Sequence, residues 1–298
     1  MKAISMCWMS LRFFVFLLFA FTANAAGSQS VATYRAETRL VEVATTVLDH
    51  HGHFVDGLDA KDFEILDNGV PQKIKYFANN TESLSCAILL DTTGSMDKVL
   101  PRLKNSVVTL VEAFGPKDRF AIYSFDEQLH TDQEFTGDKA AAKRAVLRLR
   151  AAGATALFDA LAEATLETAQ QPGKKALILF TDGDDNASVL NANAAVNRAK
   201  KNGIPLFTIA EGDALESKTL KKLLLELSKS TGGESYEVKS VNDIDDIFKR
   251  IDSELQHMYL LSYQPPADSS DGKWRKIDVA VGSVKDARIR AKEGYFPR

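Results

Sequence analysis

The sequence predicts an α/β protein in which a doubly wound parallel sheet is inserted between flanking strands that pair into a small β-sandwich. Three observations predict it. Between residues 84 and 255, apolar runs of strand length alternate with stretches of helical periodicity, the pattern of a parallel sheet covered on both faces. The run Ala87-Ile88-Leu89-Leu90 ends on Asp91 and passes through a hydroxyl-rich loop directly into an amphipathic helix. The flanks, residues 34–78 and 259–295, read as short strands and turns, and neither can bury a core alone.

The elements follow in order. Lys2 and Arg12 precede the apolar run 13–21, and Ala23-Asn24-Ala25 is a small-residue cleavage site, so residues 1–25 read as a signal peptide. The run is too short to span a membrane. Residues 43–48 are a strand, followed by a turn with His50, His51 and His53, which reads as a solvated hairpin tip. A corner at 58–62, a strand at 63–66, the turn Asp67-Asn68-Gly69 and a strand at 72–77 complete the first flank. Asn-Gly between alternating runs is a strong hairpin signal.

In the central region Val99, Leu100, Leu103, Val107, Leu110, Val111 and Phe114 mark a helix. Strands are expected at 119–125, 130–135, 176–180, 205–209 and 235–238. Helices are expected at 139–149, 156–170, 191–202 (ended by Gly203), 218–230 (stopped by Gly232-Gly233) and 241–255. Strands at 259–263, 276–281 and 288–291 form the last flank. The expected organisation is a signal at 1–25, a β segment at 26–82, the α/β domain at 83–253 and a second β segment at 254–298 that pairs with the first.

Composition narrows the function. The formal charge is −3, and losing Lys2 and Arg12 with the signal makes the mature chain more acidic. Without a Lys/Arg cluster there is no electrostatic footprint for nucleic acid or an anionic membrane. Cys7 leaves with the signal, and Cys86 is the only mature cysteine, set in an apolar strand as a buried, inert thiol. A disulfide within the chain and a cysteine metal cluster are both excluded.

The loop Asp91-Thr92-Thr93-Gly94-Ser95 offers oxygen donors only, which suits a hard divalent cation, Mg²⁺ above all. In a sheet of order 3-2-1-4-5-6 the loops after strands 1 and 4 diverge and open a crevice. Asp91 follows the first central strand and Asp182 the fourth, so both carboxylates fall at that crevice. Either acid alone reads as a helix cap. The hydrophobic-Asp-Thr-Gly loop of aspartic proteases does not fit, because Gly94 lies three places after Asp91 and Thr181-Asp182-Gly183 lacks the hydroxyl between Asp and Gly. His130 is expected at a distant sheet edge, and there is no phosphate-binding Gly-rich loop with Lys and no serine elbow, so no enzyme is predicted.

The spacing Asp91-x-Thr93-x-Ser95 resembles the D-x-S-x-S signature of von Willebrand factor A domains, with Thr93 in place of the usual Ser. Gly153-Ala154-Thr155-Ala156-Leu157-Phe158-Asp159-Ala160 resembles the family's threonine loop, and the strand 176–180 followed by Thr181-Asp182-Gly183 resembles its fourth strand. The resemblance covers residues 84–253; the flanking strands and the Gly294-Tyr295 ending resemble the acidobacterial-type branch of these proteins. It implies a metal-ion-dependent adhesion site at Asp91, Thr93, Ser95, Thr155 and Asp182 holding Mg²⁺, or Mn²⁺ or Ca²⁺. The hydroxyls would bind the ion directly and the carboxylates partly through water. The open position would take an Asp or Glu of a partner protein, in a secreted or periplasmic adhesion or assembly role. A rigid scaffold with a vestigial or structural cation is the alternative, and a metal-dependent hydrolase a further one.

Overall fold

Side chains that alternate along a strand must be buried on both sides when the strand is apolar throughout, and this decides the layering here. The computed structural model describes residues 40–79, 82–240, 243–266, 269 and 271–297; the expected signal peptide lies outside the described residues. The first flank contributes β1 (Val41–Leu48), β2 (Phe63–Asp67), β3 (Val70–Gln72) and β4 (Ile74–Ala78). Then come β5 (Leu84–Asp91), α1 (Leu100–Ala113), β6 (Arg119–Phe125), β7 (Leu129–Thr136), α2 (Lys139–Arg148) and α3 (Leu157–Ala169). The central region continues through β8 (Lys174–Thr181), α4 (Ala192–Asn202), β9 (Leu206–Ala210), α5 (Lys218–Thr231), β10 (Ser235–Glu237) and α6 (Asp243–Gln256). The last flank adds β11 (Tyr259–Tyr263), β12 (Arg275–Val281), β13 (Arg288–Ala291) and β14 (Gly294–Tyr295).

The central sheet has the order β10-β9-β8-β5-β6-β7, the doubly wound order expected from the sequence. Leu84, Cys86, Ile88 and Leu90 of β5 face a core shared with α1, α2 and α6. Ala87 and Leu89 face the opposite core, made with α3, α4 and α5. Each fully buried aliphatic side chain, such as Leu103 or Ile251, contributes roughly 2 kcal/mol. One strand departs from the expected parallel sheet: β7 pairs with β6 antiparallel. Only residues 126–128 join the two, too few for a crossover, so the chain must turn straight back.

The flanks mix strands from both ends of the chain. One sheet runs β13-β1-β11-β4 and the other β14-β12-β2-β3. Val43, Val47, Ile65, Leu261, Tyr263 and Ile277 form their common core, which makes the β-sandwich. The expected hairpin forms at Asn68 and Gly69, both with positive φ (48° and 80°), the conformation a tight two-residue turn demands. The single strand expected at 72–77 is instead two: β3 pairs with β2 in one sheet and β4 with β11 in the other, so the chain changes sheets at Lys73. Inside the sandwich the fully buried Asp67 accepts hydrogen bonds from Tyr263 Oη (2.9 Å), Tyr295 Oη (2.8 Å) and Arg275 Nε (2.7 Å). A buried carboxylate is costly without such partners.

The sandwich meets the α/β part at the amino edge of its sheet. Glu254 near the end of α6 is buried there, accepts from Arg290 Nη2 of β13 (2.7 Å), and is 3.3 Å from Thr46 Oγ1 of β1. The carboxyl edge, where β5 and β8 end, faces away from this junction.

Candidate metal centre

β5 ends on Asp91 and β8 on Thr181, so Asp91 and Asp182 emerge beside each other from two hydrogen-bonded parallel strands. A chain of side-chain hydrogen bonds then links the two loops. Thr93 Oγ1 donates to Asp91 Oδ1 (2.7 Å) and lies 3.1 Å from Ser95 Oγ, which donates to Asp182 Oδ1 (2.9 Å). The second oxygen of Asp91 accepts from Thr181 Oγ1 at 2.7 Å, and the backbone N–H of Thr93 also donates to Asp91 Oδ1 (3.0 Å). Asp91, Thr93 and Asp182 are buried, whereas Ser95 is exposed, so the cluster opens to water at Ser95.

Thr155 reaches this loop through the backbone of its own segment. Ala152 N–H donates to Thr92 O (2.8 Å) and Gly94 N–H to Gly153 O (3.4 Å). Thr155 itself is buried and its N–H donates to Asn186 Oδ1 (2.9 Å), while its hydroxyl makes no hydrogen bond among the described residues. Gly153 is required where it stands: φ is +82°, and a Cβ there would lie 2.9 Å from Asp126 Cβ. The structure thus joins Asp91, Thr93, Ser95 and Asp182 directly and sets Thr155 in the adjoining loop.

Burial raises the Asp91 carboxyl above its ordinary range, against the hydrogen bonds from Thr93 and Thr181. Asp182 is pushed up to about 6, first by burial and then by the charge of Asp91. Glu211 is raised as well, by burial and by Asp213. No Lys, Arg or His side chain is bonded to Asp91 or Asp182 among the described residues. Two buried carboxylates without a basic partner, set among hydroxyls, are the donor set a hard divalent cation accepts. No three His, Cys, Asp or Glu side chains gather at one point among the described residues, and three of the five donors here are hydroxyls.

One residue at this edge was not singled out from the sequence. Thr181 holds the second oxygen of Asp91. Its signal was legible in retrospect: a hydroxyl at the last residue of an otherwise apolar strand, directly before the acid. Asp159 accepts from the backbone N–H groups of Val189 and Leu190, and Asp185 from Phe158 N–H, so both acids hold loops together. His130 lies on the edge strand β7, as expected. Because β7 runs antiparallel, its first residues lie at the carboxyl edge, where His130 Nε2 meets Asp126 Oδ1 at 2.9 Å. Asp126 O in turn accepts from Ala156 N–H at 2.7 Å, one residue from Thr155.

The von Willebrand factor type A domain family model matches residues 86–250, more than half of the chain and all five candidate donors. The chain belongs to this family. Mouse (Mus musculus) integrin alpha-E is 24% identical over 187 residues, which cover 58% of this chain and 16% of that protein. The chain therefore spans about a sixth of the integrin's length. A von Willebrand factor type A structure from Catenulispora acidiphila superposes with a TM-score of 0.52 at 14% identity, covering 88% of this chain and 76% of that one. Proximal thread matrix protein 1 from the mussel byssus gives a TM-score of 0.52 at 19% identity, over 63% of this chain and 49% of that one. At these identities the structures establish the type A fold.

Proposed function

We propose that this type A domain protein binds a divalent cation through Asp91, Thr93, Ser95, Thr155 and Asp182, and through that cation the Asp or Glu side chain of a partner protein. The carrying observation is the hydrogen-bonded series Asp91–Thr93–Ser95–Asp182, which holds two buried carboxylates with no basic side chain bonded to them among the described residues. Mg²⁺ suits the set best, with Mn²⁺ and Ca²⁺ as alternatives. A cation bound largely by neutral hydroxyls keeps most of its charge and gains most from an incoming carboxylate. The role is adhesion or assembly; His130 pairs with Asp126 and makes no hydrogen bond to Asp91 or Asp182 among the described residues.

The signal-like residues 1–25 support a periplasmic or secreted location for this activity, and no helix among the described residues is long and apolar enough to cross a membrane. The mature chain would begin at or next to Ala26, with the β segments, 26–82 and 254–298, carrying the α/β domain, 83–253. Intact-mass measurement of the exported protein tests the first point.

The metal reading is tested by thermal melting with Mg²⁺ or Mn²⁺ and with EDTA. Binding to the folded state alone stabilises by about 2.7 kcal/mol at a hundredfold excess over Kd. A melting temperature unmoved by either ion overturns the reading and leaves the scaffold role. Pull-down from envelope extract with and without EDTA then identifies the partner.

A further inference from the structure

The loop that follows β8 does more than supply Asp182. From Asp185 to Leu190 it is stitched to the start of α3 by reciprocal hydrogen bonds. Asn186 Oδ1 accepts from Thr155 N–H (2.9 Å), while Thr155 O accepts from the N–H groups of Asn186 (2.9 Å) and Ala187 (3.1 Å). Asp185 accepts from Phe158 N–H (3.0 Å), Ser188 Oγ from Asp159 N–H (3.0 Å), and Asp159 from Val189 N–H (2.8 Å) and Leu190 N–H (2.9 Å). A loop so fully satisfied holds one shape. At its tip Val189 is 95% exposed, whereas the other large apolar side chains at the surface range from 42% to 58%. Scattered half-exposed apolar side chains need no explanation. An almost wholly bare valine, held by these bonds on the loop that begins at Asp182, is a different matter, because its contact is pre-organised and orders nothing further on binding.

The other side of Asp182 has the opposite chemistry. Glu211 N–H donates to Thr181 O (3.1 Å) and Ala214 N–H to Asp182 O (2.8 Å), which packs the loop after β9 against the site. Residues 182–190 and 211–217 contain Asp182, Asp184, Asp185, Glu211, Asp213 and Glu216 and no Lys or Arg; the first base beyond them is Lys218. Asp184 and Asp213 are exposed.

Building on the proposed cation site, we infer that the partner's acidic residue lies between an apolar side chain, which packs on Val189, and a Lys or Arg side chain, which meets Asp184 and Asp213. The cation fixes the acid, and the two flanks select which acid. Charge complementarity requires the base: an acidic partner surface would be repelled by the β9 loop. Val189 and Asp213 are thus specificity-determining residues that touch no metal.

Phage-displayed random peptides panned on the full chain in Mg²⁺ and eluted with EDTA test this. The eluted pool should be enriched in an Asp or Glu with an apolar residue on one side and a base on the other. Val189→Ser should weaken the selected peptides about ten-fold and erase the apolar preference. Asp184→Asn with Asp213→Asn should weaken them about five-fold and erase the basic preference. Both sets of positions are exposed, so the variants should fold. EDTA-eluted peptides that share an acid but show no flanking preference, or the same preference on all variants, overturn this inference and leave the metal site standing. No EDTA-eluted pool at all overturns both.

Discussion

Ser95 Oγ donates to Asp182 Oδ1 at 2.9 Å across the gap between the loops after β5 and β8. The bond spans the switch point of the sheet and brings an exposed hydroxyl onto a carboxylate that burial and Asp91 have made hard to ionise. Two acids forced together at neutral pH repel, and a cation relieves the repulsion.

Asp182→Asn should therefore raise the melting temperature of the EDTA-treated protein, by the equivalent of about 1 kcal/mol, because it removes one of two like charges. The same variant should lose the Mg²⁺-dependent rise. Paired melts with Mg²⁺ and EDTA measure both effects; a cation response retained in the variant counts against Asp182 as a ligand.

Asp91→Ala should abolish the cation response while the fold persists, since the strand behind it, Cys86 to Leu90, is buried and apolar. Thr93→Val keeps the shape of the side chain and removes its hydroxyl. It should lose most of the cation response, whereas Thr93→Ser should keep it. Circular dichroism beside the melts separates lost binding from lost structure.

The sandwich is predicted to be sensitive at one buried acid. Asp67→Ala removes the shared acceptor of Tyr263, Tyr295 and Arg275 and should cost about 3–5 kcal/mol. Tyr295→Phe removes one donor only and should cost about 1 kcal/mol. Urea denaturation with matched m-values gives both numbers. Equal losses would mean that the Tyr295 hydroxyl alone, and not the carboxylate shared by three donors, accounts for the effect.

Cys86 is wholly buried in β5, and burial pushes its thiol far above the ordinary range. It should be inert to Ellman's reagent in the native protein and react once per chain in denaturant. Rapid native labelling would show that β5 opens.

The doubly wound sheet was legible because its strands are apolar and its helices strongly periodic, as in Leu103, Val107, Leu110 and Val111 of α1. Asp91, Thr93 and Ser95 were legible because they sit two apart on one short loop. Thr155 and Asp182 required comparison with a known pattern, since nothing local in a threonine or an Asp-Gly announces a distant loop. The sheet change at Lys73 was invisible: the residues around it read as a strand whichever sheet they join, and the choice is made by β2 and β11, distant in sequence. The antiparallel return of β7 was invisible for a related reason, and it sets which end of that edge strand His130 occupies. Val189 carries no sequence signal at all; its exposure is fixed by Asp159 and Asp185.

Ala78 of β4 and Leu260 of β11 are cross-strand neighbours, so the chain that leaves the sandwich after the first returns just before the second. Antiparallel neighbours lie about 5 Å apart, a gap that a few residues can bridge. The segment between them can therefore be cut out and its ends rejoined. A short turn in its place would leave a bare sandwich, and the excised segment could be closed on itself and opened elsewhere as a circular permutant. The architecture behaves as a socket with an exchangeable head.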